Sequence, residues 1–448
     1  MRSELFWLET DILDPRHVLL YTRRAEPRLQ PREIATLAER HVAVVATRRA
    51  AAATGVPLYR PGAGTFALAV GLGMWTLAAA AAAVIRLAPP APGHVAIGLS
   101  MVAPYASWRR FFERNRVGVH FDIANFDKAG SIRNAAIEHA GGVSVAYQWS
   151  NLGASPIETS CDPDVFFQFG PAYDDVFARM GSAFGRTVYS GYVTDHAFAP
   201  VRGTSAKLRA SLEERGARFV VAYLDEATSD APMSCMTDAE GAAIYADLMQ
   251  RVLDDPEFAV VFKPGYPLSI DERLRGISEL RERAEATGRC VFVSEGSFLT
   301  TQYPTMVAQA ADLAIGLLGS GTVGLESWLS GVRTVFLNIG PRMGHLPLAF
   351  EGAGTTVFDS VGELLAAVDR FRSDPAQLPG LGDLTAWAEG RDPYRDGRAS
   401  ERISGYLALL LESLGAGEGR EGALAAADAA YRIAWGDDAV AVRERAGA

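Results

Sequence analysis

The residues whose types and spacing are best suited to chemistry lie between Asp312 and Asn338. The run opens Asp-Leu-Ala-Ile-Gly-Leu-Leu, passes through Gly319-Ser320-Gly321-Thr322-Val323-Gly324, continues Leu-Glu326-Ser-Trp-Leu-Ser-Gly331 and ends Val-Arg-Thr-Val-Phe-Leu-Asn338. Length and apolarity make the first piece a buried strand. The glycines make the second a tight turn, and Gly331 closes the third as a short helix before another strand. This is one βαβ unit whose loop delivers unpaired N–H groups at a helix N-terminus. Those groups and the helix dipole point the same way, so the expected chemistry is anion binding, phosphate above all. Gly319, Gly321 and Gly324 also satisfy G-x-G-x-x-G, which makes a dinucleotide site the second reading. That fingerprint normally opens a domain's first βαβ unit and is followed by an acid at the end of the next strand. Here the loop falls late in the chain and the next strand ends in Asn338. A tight turn with no ligand is the third reading.

The elements that must hold this loop follow from the rest of the chain. At 448 residues there is length for two domains with full cores. Apolar residues make up 49% and the formal net charge is −10, which argues for a globular chain and against a nucleic-acid binder. The pairs Arg48–Arg49 and Arg109–Arg110 are local basic clusters that read first as solvated surface. Cys161, Cys235 and Cys290 are far apart, with no C-x-x-C and no metal-ligand spacing, so packed thiols in a reducing cytoplasm are expected. The acidic start lacks the pattern of a signal peptide.

Strands are expected at 18–22, 41–47, 94–99, 117–121, 143–148, 166–170 and 187–192, with helices at 31–40, 108–115 and 132–139. Residues 195–205 are poor in regular structure and mark the domain boundary. A second series follows, with strands at 219–224, 258–263, 291–294, 312–318, 332–338 and 355–358. Helices are expected at 207–215, 245–254, 273–287, 303–311 and 361–371. The fold class is therefore α/β, two doubly wound Rossmann-like domains facing across a cleft. Residues 1–195 form the first, 196–375 the second, and 376–448 add helices and a frayed tail. No charge falls between Arg60 and Arg86. The run from Phe66 to Ile85 is long enough to span a bilayer, but its many alanines and two glycines favour a core helix or one partly facing the membrane.

Two such domains with a late Gly-Ser/Thr loop followed by a glutamate resemble glycosyltransferases of the GT-B fold. The nearer likeness is to bacterial surface-carbohydrate and capsular-polysaccharide transferases, with CDP-glycerol glycerophosphotransferases more distant. It rests on Ala311-Asp312-Leu-Ala-Ile, Gly319-Ser320-Gly321-Thr322, Glu326 through Val335, and the strand ending in Lys263-Pro264. The segments 125–133 and Gln148-Trp149-Ser150 add weaker support. The resemblance implies that Glu326 holds the donor ribose, that the loop amides with Ser320 and Thr322 bind the donor diphosphate, and that Lys263 neutralises the departing phosphate. Fixed dipoles and a lysine would do this without a metal or other cofactor. Two departures stand out: Leu318 occupies the place of the first acid of an E-x₇-E pair, and Pro264-Gly265-Tyr266-Pro267 replaces Lys-x-His-Pro after the lysine.

Transfer also needs a base in the first domain. Asp127 and Asp122 are the candidates, with His120 behind them; a helix-cap or turn role is the alternative for either acid. Arg133, Gln148 and Asn151 are candidate sugar or phosphate contacts, while Trp149 reads equally as core. The expected partners are a nucleotide-sugar donor, a glycan or lipid-linked glycan acceptor and a membrane surface met through Phe66 to Ile85, with no nucleic acid. The expected location is the cytoplasm, at the inner face of the cytoplasmic membrane. Competing functions are a nucleotide-sugar epimerase or glycerophosphotransferase of the same fold, for which His345 is the one histidine after the loop, and a non-catalytic scaffold.

Overall fold

A computed structural model describes residues 5–7, 10–22, 31–47, 56–86, 92–122, 129–151, 160–226, 228, 230, 236–294, 303–319, 321–339 and 346–443. The strands are β1 (Leu19–Thr22), β2 (Ala43–Ala46), β3 (Val119–Asp122), β4 (Val143–Tyr147), β5 (Val165–Gln168), β6 (Arg186–Tyr189), β7 (Phe219–Leu224), β8 (Phe258–Lys263), β9 (Cys290–Phe292), β10 (Leu313–Leu317), β11 (Thr334–Leu337), β12 (Val357–Phe358) and β13 (Val440–Val442).

The second lobe is one parallel sheet in the order β12-β11-β10-β7-β8-β9. The chain winds outward from β7 to β9, returns to the other side of β7 at β10, and winds outward again. The carboxyl ends of β7 and β10 therefore flank the switch point, where open α/β sheets place their ligand crevice. Both faces are covered, so the strands read as continuous apolar runs. Val221, Tyr223, Val260 and Phe262 pack on one side. Val220, Ala222, Ala259 and Val261 pack on the other. Each fully buried Val or Phe contributes about 1.5–3 kcal/mol.

In the first lobe β3, β4, β5 and β6 are neighbours in chain order and parallel. β1 and β2 form their own parallel pair. Tyr21 of β1 lies against His120 of β3, with its hydroxyl 3.1 Å from His120 Nε2. The pair thus packs beside β3 as a separate two-stranded sheet.

Three expectations are corrected. Residues 94–99 are not a strand but belong to the long helix Pro92–Asn115. Local β-type composition is overridden by packing against the helix Ala63–Ile85, where a Cβ on Gly98 would sit 3.6 Å from Thr76. The Ala63–Ile85 helix is not a core helix, because none of its apolar window is buried. The charged helix expected at 273–287 is broken, with its regular part at Ser278–Ala286.

Residues beyond 375 are more ordered than expected and return to the first lobe. Ile403, Tyr406 and Leu410 of the helix Ala399–Gly415, with Leu424 and Tyr431 of the helix Arg420–Trp435, enter the same core as Val145 and Phe167. β13 then pairs antiparallel with β6.

Candidate functional site

The glycine loop forms as the spacing implies. Gly321 caps the helix Thr322–Leu329 with φ +61°, in the left-handed region that glycine enters without strain. A Cβ on Gly324 would run into the Phe336 ring, so the third glycine serves close packing of helix on sheet. Gly321 N–H bonds Leu317 O and Leu325 N–H bonds Gly321 O. Ser320 lies outside the described residues.

The loop faces the opposite lobe. Thr322 Oγ1 is 2.9 Å from Ser150 Oγ and accepts the Asn151 N–H at 3.0 Å. Asn151 Oδ1 in turn accepts the Tyr173 hydroxyl at 2.6 Å. A Cβ on Gly321 would stand 2.7 Å from Asn151 Nδ2, so only glycine fits beneath that amide. The loops after β10 and β4 are thus in direct contact, and the Thr322 hydroxyl expected to meet a diphosphate is bonded to Ser150 and Asn151.

Lys263 ends β8, level with Leu224 of β7. It follows Ala259 and Val261 in the alternation of the strand and so shares the face on which Val323 packs. Two strand spacings place it roughly 10 Å from β10. It is half-buried and has no ion-pair partner among the described residues, and burial pulls its pKa below the usual lysine range. An unpaired, partly desolvated ammonium is costly unless it meets an anion.

Glu326 sits elsewhere than a crevice-facing ribose ligand would. It is buried, with Oε2 accepting the Tyr192 hydroxyl at 2.9 Å and Oε1 accepting from Thr305 Oγ1 and, at 3.1 Å, from Thr305 N. Burial pushes its pKa up, and these donors oppose the shift. Both oxygens are engaged, and the residue ties the second lobe to Tyr192 of the first.

Several first-lobe candidates likewise make internal contacts. Asp122 is bonded to Arg133, with Arg133 Nε 3.1 Å from Asp122 Oδ2 and a second, closer bond from Nη2. This ion pair occupies the carboxylate that general-base work would need, and it buries the guanidinium expected to meet phosphate. His120 is enclosed by Tyr21, Trp108 and Phe112. Gln148 accepts from Phe169 N and donates to Ser150 O, so it shapes the loop after β4 instead of presenting itself to a sugar. Trp149 is 49% exposed and is not core. Asp127 and His345 lie outside the described residues.

The site also contains residues that sequence reasoning did not single out. Arg391 Cζ is 4.1 Å from the Trp387 ring centre and 5.8 Å from that of Tyr173. Its backbone is held at the end of β5, where Ala172 N–H bonds Gly390 O and a Cβ on Gly170 would meet Arg391 O at 2.9 Å. Trp387 packs edge-on to Phe336, the ring under Gly324. Arg391 also donates from Nη1 to Trp387 O, has no carboxylate ion pair among the described residues, and is lowered in pKa by burial. The only sequence signal was the motif Gly390-Arg391-Asp392-Pro393, in a region expected to be a peripheral tail.

The amino ends of the second sheet form another depression, lined by residues including Arg218, Glu257, Asp312 and Arg372. Its charges largely neutralise one another: Asp312 pairs with Arg209 at 2.7 Å and Arg372 pairs with Asp255 at 2.5 Å. It also lies on the edge opposite the switch point.

No family model and no curated protein matches this chain. Solved structures with an overall likeness include HepE of Anabaena in complex with UDP and glucose, 15% identical, covering 87% of this chain and 99% of that one, with a TM-score of 0.44. The wall teichoic acid polymerase TagF is 10% identical over 90% of this chain and 92% of that one, with a TM-score of 0.46. The α,α-trehalose 6-phosphate synthase of Burkholderia multivorans is 12% identical over 89% and 97%, with a TM-score of 0.43. The strand orders and interlobe contacts described above are what make this chain two doubly wound α/β lobes facing across their strand ends.

Proposed function

We propose that the chain is a glycosyltransferase that moves a sugar from a nucleoside diphosphate sugar to a hydroxyl of a glycan or lipid-linked glycan. The observation that carries this reading is the helix N-terminus after β10. It stands at the switch point of the second sheet and faces the strand ends of the first. In the reaction the acceptor oxygen forms a bond to the anomeric carbon as the bond from that carbon to the diphosphate breaks, and the hydroxyl proton passes to the departing diphosphate or to solvent. The leaving group gains negative charge. The N-terminal end of the helix Thr322–Leu329 directs its dipole at this charge, and Lys263 and Arg391 are cations without carboxylate ion pairs among the described residues. No step is assigned to a metal. Trp149, exposed beside Ser150, offers an aromatic face to a sugar.

Glu326 enters this proposal as an interlobe tie. A ribose could reach it only by displacing the Tyr192 hydroxyl. The first test is calorimetric titration of the full chain with UDP, CDP, GDP and dTDP. Saturable binding of one of them is expected, and heat from none of the four would overturn the reading. Product analysis with the matching nucleotide sugar then distinguishes transfer from epimerisation.

A further inference from the structure

The helices Ala63–Ile85 and Pro92–Asn115 form an antiparallel hairpin. Two contacts fix its register. A Cβ on Gly64 would lie 3.8 Å from Arg110 Nε, and one on Gly98 would lie 3.6 Å from Thr76 Cγ2. At the base, Phe111 and Phe112 pack with Ala136 and Ile137, which joins the hairpin to the first lobe. Beyond that base none of the described residues covers its outer faces. Phe66, Met74, Trp75 and Ile85 are 74, 63, 70 and 81% exposed, and Ile97 and Met101 on the second helix are exposed as well.

From Pro61 to Trp108 the only basic or acidic residues are Arg86 and His94, both towards the tip. A helix that is apolar on all sides is either buried in protein or surrounded by lipid, and among the described residues none buries the apolar window of Ala63–Ile85. The 23 residues of the first helix extend about 34 Å, against about 30 Å for the hydrocarbon layer of a bilayer. The hydroxyls along the shaft are bonded within their own helices: Thr76 Oγ1 to Leu72 O at 2.9 Å and Ser100 Oγ to Ile97 O at 2.7 Å. Those two hydroxyls therefore need no water in the hydrocarbon. At the base, exposed Arg60, Arg110, Arg114 and Arg116 surround a single Glu113, giving a positive collar where anionic head groups would lie. Arg86 at the far end is one helix length away, placed for the opposite head-group layer.

We infer that the helix Ala63–Ile85 and the part of the second helix from Pro92 to Trp108 insert into an anionic lipid bilayer as a hairpin, with the arginine collar at the head groups and both lobes on the collar side. The inference does not depend on the proposed transfer reaction, and its test needs no nucleotide.

The full chain is incubated with vesicles of phosphatidylethanolamine and phosphatidylglycerol and floated through a density gradient, with and without an alkaline carbonate wash. The wild type is expected to float and to stay with the vesicles after the wash. The double variant Met74→Lys, Trp75→Glu alters two exposed side chains. It should keep the same circular dichroism spectrum and lose at least about tenfold of the floating fraction, because each charge opposes insertion near mid-helix. A wild type that stays at the bottom of the gradient would overturn the inference. So would release by carbonate, which marks surface adsorption, or equal flotation of the variant. Sedimentation equilibrium without lipid supplies the last arm: a stable dimer that no longer binds vesicles would assign the apolar faces to a second copy of the chain instead.

Discussion

Tyr192, just beyond β6, donates its hydroxyl proton to Glu326 Oε2 at 2.9 Å, joining the first lobe to the helix that carries the glycine loop. Both groups are buried, so the bond is made where water cannot replace it. The Tyr192→Phe variant would leave one carboxylate oxygen without that donor. A loss of about 1–3 kcal/mol in unfolding free energy is expected, measured by urea denaturation. An unchanged midpoint and slope would mean that the bond contributes nothing in solution.

Asp195 lies beside Asp392 in the segment that joins the lobes. Burial, then the negative charge of Asp392, push its pKa from 3.8 up to about 7. A carboxyl whose folded pKa is raised stabilises the fold fully below its unfolded pKa. That contribution is lost as pH rises from about 4 to about 7, and it amounts to up to about 4 kcal/mol. Asp195→Asn should remove this dependence. Melting temperatures across pH 5 to 8 should show the variant gaining on the wild type as pH rises.

Lys263 stands near the helix N-terminus with no acidic partner among the described residues. Lys263→Ala should leave the melting temperature unchanged or slightly higher, because a desolvated charge is removed. It should weaken nucleoside diphosphate binding about tenfold, close to 1.4 kcal/mol. Titration calorimetry on both proteins, with Lys263→Arg as the conservative control, separates charge from packing.

Gly324 touches the Phe336 ring, which is itself fully buried. Gly324→Ala forces the ring or the helix to move. The expected cost is about 1–3 kcal/mol of stability, with loss of nucleotide binding as the amides shift. Denaturation and calorimetry on one preparation would show whether both change together.

Much of this architecture was legible because its signals are local. The strands from Phe219 to Leu224 and Phe258 to Lys263 are uninterrupted apolar runs, and the turn at Gly321 needs a backbone that only glycine supplies easily. Residues 94–99 misled because Val95, Ile97 and Leu99 alternate as in a strand, while a second helix, invisible to a local window, decides their conformation. Roles were harder to read than elements. Asp122 and Arg133 each suggest chemistry alone, but they are 11 residues apart across a strand–helix connection and find each other. Arg391 escaped notice because its neighbours Tyr173 and Gly170 lie more than two hundred residues earlier.

The pairing of β13 with β6 also bears on how the molecule is made. The outer strand of the first sheet and the two helices that roof its core are translated after every strand of the second. During synthesis the earlier lobe must therefore wait, its edge at β6 unpaired and its apolar roof missing, while the later lobe already has all it needs to close. The order of folding would then run opposite to the order of translation, and the chaperone-dependent species would be one with its amino-terminal half still open.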